Sequence, residues 1–199
     1  MSTEPFSEEI ARAELYGLLA RLWLAPPDAE LLSQFRVAVT ESPEPGSFLE
    51  APWQVLVAEM RATSVKTATD EFAALFQGVG KPEVYGSFFL AGFMNEKPLA
   101  QLRTDLASLG LARDSALFET EDHVSYVMEV MRYLIAGDDA AVSNLEQQRR
   151  FFRAHVQTWI EQLCDKVREQ PSAKLWHAVA GMTAAFVQVE TQAFDLLES

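Results

Sequence analysis

The densest run of titratable groups in the chain is Glu119-Thr120-Glu121-Asp122-His123, where three carboxylates and an imidazole share five residues. Tyr85-Gly86-Ser87 lies upstream with two hydroxyls. These residue types can do four kinds of chemistry. Paired carboxylates hold a guanidinium through bidentate, charge-assisted hydrogen bonds. Carboxylates with imidazole ligate divalent metals. Ser87 with His123 has the makings of a nucleophile and base. A hydroxyl followed by acidic residues opens a helix.

The helix start accounts for the most residues by local physics. Thr120 is an acceptable N-cap, and Glu121 and Asp122 then fall in the first turn, where negative charge is favoured by about 0.3–1 kcal/mol. It leaves His123 unexplained, because Glu or Gln would complete a capping box there, and it leaves Glu119 over. A metal site draws on Glu119, Asp122, His123 and the distant His155. The Glu-x-x-His signature of di-iron bundles occurs twice in such proteins, however, and no second copy is present here. Ser87 lacks the Gly-x-Ser-x-Gly elbow of a nucleophilic serine. No metal, cofactor or catalytic residue is therefore expected. A peptide site remains, with carboxylates at a groove edge and Tyr85, Phe88, Phe89 and Phe93 as an apolar wall. Ordinary core beneath a loop is the plainer reading of those aromatics.

Other candidates read as scaffold. Gly78 and Gly80 lack the Gly-Lys-Ser/Thr of a phosphate loop and follow no strand. His155 and Trp159 are spaced as packing partners on one helix face. Cys164 is the only cysteine, which excludes an intramolecular disulfide, and it sits in an apolar stripe with Trp159, Ile160, Leu163 and Val167.

The formal charge of -13 argues against nucleic-acid backbones and favours cationic partners. With 199 residues and 49% hydrophobic content, one sizeable core is affordable, and a single all-α domain over 1–199 is the expectation. Met1-Ser2-Thr3-Glu4-Pro5 lacks the basic and apolar regions of a signal peptide, and no apolar run reaches the ~20 residues of a membrane span. A cytoplasmic protein without stable membrane insertion is expected.

Apolar periodicity is helical throughout, with no sustained alternation for a sheet. Ser7 is positioned to cap a first helix bearing Ile10, Leu15, Leu18, Leu19 and Leu22, and Pro26-Pro27 ends it. Asp28 caps a second through Leu31, Leu32, Phe35 and Val39, before a Pro43–Gly46 loop. A third begins near Pro52, with Val55, Leu56 and Met60. A fourth begins near Thr69, with Phe72, Leu75 and Phe76. Breakers Gly78, Gly80, Pro82 and Gly86 make an irregular loop of about 77–97. Pro98 opens a helix through Leu99, Leu102, Leu106 and Leu109 that Gly110 stops. After a connection over 111–120, a helix runs over 121–135, and Gly137-Asp138-Asp139 ends it and caps the next. That next helix is long and continuous through Leu145, Phe152, Val156, Trp159 and Leu163. Pro171-Ser172 separates it from a last helix carrying Leu175, Val179, Met182, Phe186 and Val189.

Four blocks in this order resemble the TorD/DmsD/NarJ family of molybdoenzyme-maturation chaperones, its TorD/DmsD branch in particular. They are Arg12 to Leu22 with Pro26-Pro27; Glu71 to Gly78 with Pro82 and Tyr85-Gly86-Ser87; Leu102 to His123; and His155-x-x-x-Trp159 followed by Leu175-Trp176, Ala180 and Phe186. The match is colinear over about 10–190. Thr120 departs from it, since the family usually has Pro there.

The resemblance implies a non-enzymatic all-α chaperone. Such a chaperone binds the twin-arginine (Tat) signal peptide and apo form of a molybdenum-cofactor oxidoreductase, aids cofactor insertion and prevents premature export. A NarJ-like chaperone for a non-exported nitrate reductase is the alternative, and a metal-dependent hydrolase using the acidic cluster a remoter one. Asp122 and His123 carry over as peptide contacts, with Tyr85, Ser87, Leu75 and Phe76. In this scheme Glu119 and Asp122 attract the arginines. His123 orients Asp122 or meets peptide backbone, and its protonation tunes release near neutral pH. Tyr85, Leu75 and Phe76 receive the apolar segment. Monomers and domain-swapped dimers are both compatible with such a fold.

Overall fold

The computed structural model describes residues 4–37, 47–78, 80–93, 96–114 and 118–197. These form α1 (Glu4–Leu24), α2 (Ala29–Val37), α3 (Glu50–Ala62), α4 (Val65–Phe76), α5 (Gly86–Ala91), α6 (Lys97–Ser108), α7 (Val124–Ala136), α8 (Leu145–His155), α9 (Ile160–Arg168) and α10 (Leu175–Leu196). Among the described residues there is no β-strand, only one antiparallel bridge between Tyr85 and His123. The fold is all-α, as the periodicity requires. Val39 and the Pro43–Gly46 loop lie outside the described residues.

The helices gather into two compact units, each assembled from two stretches of chain. The first takes Met1–Leu24 and Val84–Trp159. Within it α1 lies along α7, α7 packs on α8 and α5 on α6. Tyr16, Leu19, Leu22, Met128, Met131 and Phe152 are fully buried. The second takes Ala25–Glu83 and Ile160–Ser199. There α10 is the central helix and touches α3, α4 and α9, while α2 packs on α3. Its core includes Leu56, Met60, Leu163, Trp176, Val179 and Phe186.

Several helix ends follow local rules. Asp28 Oδ1 accepts the Leu31 N–H at 2.8 Å and caps α2. Pro98 occupies the first turn of α6. Gly110, at φ 72°, closes α6 with a Schellman pair: its N–H reaches Ala107 O at 3.1 Å, and Leu111 N–H reaches Leu106 O at 2.9 Å.

Other ends differ from the sequence reading. α1 starts at Glu4, so Ser7 is inside the helix rather than its cap. α4 starts at Val65, because Ser64 Oγ accepts the Thr67 N–H at 3.1 Å. The expected loop over 77–97 contains α5. Asn144, not Asp138 or Asp139, caps α8 by accepting the Gln147 N–H at 3.1 Å. The long helix expected over 145–163 is two. At the break Trp159 Nε1–H donates to His155 O at 2.7 Å, taking the carbonyl that the Trp159 backbone N–H would use in a continuous helix. The chain passes from the first unit to the second at that point.

Candidate functional site

The Glu119–His123 run does not begin a helix at Thr120. It turns at Glu121-Asp122, with the His123 N–H reaching Thr120 O at 3.1 Å, is extended at His123, and α7 starts only at Val124. The cause is a segment far away in sequence. Gly86 N–H donates to Asp122 O and Val124 N–H to Val84 O, both at 2.9 Å, pinning the two stretches antiparallel for one bridge. His123 then becomes the N-cap, its Nδ1 accepting the Ser125 N–H at 3.2 Å. That acceptor role places the neutral ring's proton on Nε2.

Each carboxylate of the run has a different task. Asp122 is 3% exposed. Its Oδ2 accepts the Ser87 N–H at 2.8 Å and its Oδ1 accepts the Thr120 hydroxyl at 2.6 Å. It therefore fixes the first turn of α5. Glu119 accepts the Tyr85 hydroxyl, and the Tyr85 ring stands edge-on to His123 at 5.4 Å. Glu121 holds Arg103 of α6 in a bidentate fork, with Nε–Oε1 at 3.0 Å and Nη2–Oε2 at 2.8 Å. Arg113 adds a bond from Nη1 to Glu119 O at 3.0 Å. Burial pushes the Glu121 carboxyl up, but the Arg103 hydrogen bonds and charge outweigh it and hold it below the usual range.

Burial pushes the His123 imidazole down to about 4, against the pull of Glu119 and Asp122. The ring is neutral at physiological pH. A release switch based on its protonation near neutral pH, expected from the sequence, does not fit this environment.

Ser87 is wholly buried, and its hydroxyl has no hydrogen-bond partner among the described residues. It lines a small cavity with Asp122, Leu90, Pro98, Leu102 and Trp159. Gly86 is needed in this wall, since a Cβ there would stand 3.1 Å from the Trp159 ring. Of the expected aromatic wall, Phe89 is half-buried and stacks on Trp159 at 5.6 Å, whereas Phe88 and Phe93 are exposed.

His155 is buried as expected, and it also bonds Asp105 through Nε2–Oδ2 at 2.8 Å. Burial pulls its titration below the ordinary value, partly offset by Asp105. Leu75 and Phe76 belong to the second unit. Leu75 is buried, and Phe76 packs against Phe72 and Trp176 with centroids at 5.0 and 6.1 Å. Cys164 is buried, and burial pushes its thiol far up, away from thiolate chemistry.

Two residues that sequence reasoning passed over matter here. Arg103 sits on the polar face of α6, where it reads as a solvated charge, and only the fold brings it to Glu121. Glu71 gave a weak signal inside the second family block. Its carboxylate accepts three backbone N–H groups at the start of α10: Lys174 at 2.7 Å, Trp176 at 2.9 Å and Leu175 at 3.1 Å.

A family model described as nitrate reductase delta subunit matches residues 43–165. The chain belongs to this family. The matched span contains Leu75, Phe76, Tyr85, Ser87, Glu119, Asp122 and His123, so the whole candidate set falls in the part of the chain that defines membership of the nitrate reductase delta subunit family, the TorD/NarJ group that the four sequence blocks resemble. Curated relatives named "Chaperone protein TorD", from Vibrio cholerae serotype O1, are similar over part of their length. The El Tor Inaba protein is 27% identical over 112 residues, covering 53% of this chain and 51% of the relative. The Classical Ogawa protein is 25% identical over the same coverage. The alignment thus spans about half the length of the relatives. Among the described residues no three His, Cys, Asp or Glu side chains converge to hold a metal ion, and no helix is long and apolar enough to cross a membrane.

Proposed function

We propose that this protein is a cytoplasmic maturation chaperone for a redox enzyme, without enzymatic activity of its own. It binds the twin-arginine signal peptide and apo form of a molybdenum-cofactor oxidoreductase and holds the client until its cofactor is inserted. The observation that carries this reading is the family match over 43–165 together with relatives named as TorD chaperones. The chemistry agrees with it. A twin-arginine leader joins two guanidinium groups to an apolar segment. The junction offers carboxylates at Glu119 and Glu121, and the chain at and just after α5 carries the exposed Phe88 and Phe93.

Asp122 and His123 serve this site mainly by holding it in shape, with Tyr85 and Ser87 beside them. Leu75 and Phe76 are proposed as separate apolar contacts in the second unit.

Calorimetric titration with a labelled twin-arginine leader, against the same leader carrying two lysines, tests the reading. Binding that prefers arginine is expected; no binding to any twin-arginine leader sinks the signal-peptide half. A second reading is favoured by the description of the matching family: a chaperone of a nitrate reductase that is not exported. Copurification of a leaderless reductase subunit together with silence toward leaders would select it.

A further inference from the structure

We infer that Glu121 is the guanidinium-binding carboxylate of this site, and that the chain's own Arg103 is a resident occupant which an incoming arginine side chain displaces. The inference rests on the peptide-binding reading above and names the group within it that receives the arginine.

The argument is one of elimination among the carboxylates. Asp122 is buried, and both its oxygens are engaged, one by the Ser87 N–H and one by the Thr120 hydroxyl. A guanidinium could reach it only by undoing the first turn of α5. Glu119 is engaged by the Tyr85 hydroxyl. Glu121 differs in that its partner is itself a guanidinium, seated in the fork geometry that an arginine ligand would adopt. The seat is well formed, since the Glu121 side chain is 12% exposed; the occupant is loosely held at its other side, since the Arg103 side chain is 52% exposed. A half-exposed ion pair contributes little net stability, so replacing one guanidinium by another is nearly balanced. The surplus needed to drive the exchange comes from the rest of the peptide.

An independent feature marks the same junction as a place for ligand atoms. The Ser87 hydroxyl is wholly buried, has no hydrogen-bond partner among the described residues, and lines a cavity whose other walls include Asp122, Val127, His155 and Trp159. A buried hydroxyl left unpaired costs free energy, which a polar atom of a seated peptide would recover.

Exchange makes a prediction that simple attraction to an acidic patch does not. Arg103→Gln removes the competitor, so it should bind a twin-arginine leader about two- to fivefold more tightly than wild type. Glu121→Gln should bind it several-fold more weakly, and the Arg103→Gln gain should shrink for a twin-lysine leader, which cannot fork. Fluorescence anisotropy with both leaders reads all three, with circular dichroism to confirm that each variant is folded. Equal or weaker binding by a folded Arg103→Gln, while wild type binds the leader, overturns the exchange and leaves the chaperone reading intact. If neither wild type nor Arg103→Gln binds any leader, the peptide-binding reading falls and the exchange falls with it.

Discussion

His123 illustrates how one side chain can be essential to a site without titrating there. Its ring caps α7, meets the Tyr85 ring edge-on and is buried, and burial pushes its titration down to about 4. In the unfolded chain the same group titrates near 6.5, so the unfolded state takes up a proton first as pH falls. The stability that neutral His123 contributes is complete above about pH 6.5 and is lost progressively as pH falls toward 4, by up to about 3 kcal/mol. His123→Asn keeps a good N-cap and removes the titration, so urea melts from pH 7 to 4.5 should lose less stability in the variant than in wild type. Equal pH slopes would show that burial of His123 does not control acid sensitivity. His155, also held below its ordinary range by burial, adds to the acid sensitivity of both proteins.

At the level of elements, the helix ends divide into those capped by their own neighbours and those capped from afar. α2, α4 and α8 are capped by Asp28, Ser64 and Asn144, each within a few residues of the helix it starts, though only the Asp28 cap is the expected one. α5 and α10 differ: their first turns are held by Asp122 and Glu71, carboxylates remote in sequence. A negative charge facing a helix N-terminus satisfies orphan N–H groups and opposes the helix dipole. Glu71→Ala should therefore destabilise the protein by about 2–3 kcal/mol, with Glu71→Gln losing less because one amide oxygen can still accept. Chemical denaturation checks this; a loss below about 0.5 kcal/mol for Glu71→Ala would mean that water replaces the carboxylate at no cost. The break at Trp159 belongs to the same class, because an indole N–H diverts the carbonyl that continuity needed.

For the whole molecule, charge and chain path dominate. A formal charge of -13 gives a field that attracts a basic peptide before contact. The association rate with a twin-arginine leader should fall steeply as salt rises and the Debye length contracts below about 10 Å, while dissociation changes less. Stopped-flow mixing across ionic strength measures both, and a flat association rate would remove steering from the picture. Each compact unit is built from discontinuous stretches, so neither can be excised as one continuous segment. In the first unit α1 lies along α7, in which Val127, Met128 and Met131 are buried.

The sequence alone determined the all-α class, the approximate place of most helices, the Asp28 cap and the Gly110 stop. Those features are local: apolar period, capping chemistry and glycine's access to positive φ act within a few residues. Only tertiary structure decided that Thr120 is no cap, that 77–97 contains a helix, and that 145–163 is broken. In each case a distant group takes the hydrogen bond that local physics had assigned: Val84 and Gly86 at the acidic run, the Asp122 carboxylate at α5 and the Trp159 indole at His155. The same holds for the site. Which of the carboxylates binds outward cannot be read from Glu119-Thr120-Glu121-Asp122-His123, because it depends on which partners the fold delivers, and the fold delivers Ser87 to Asp122, Tyr85 to Glu119 and a displaceable guanidinium to Glu121.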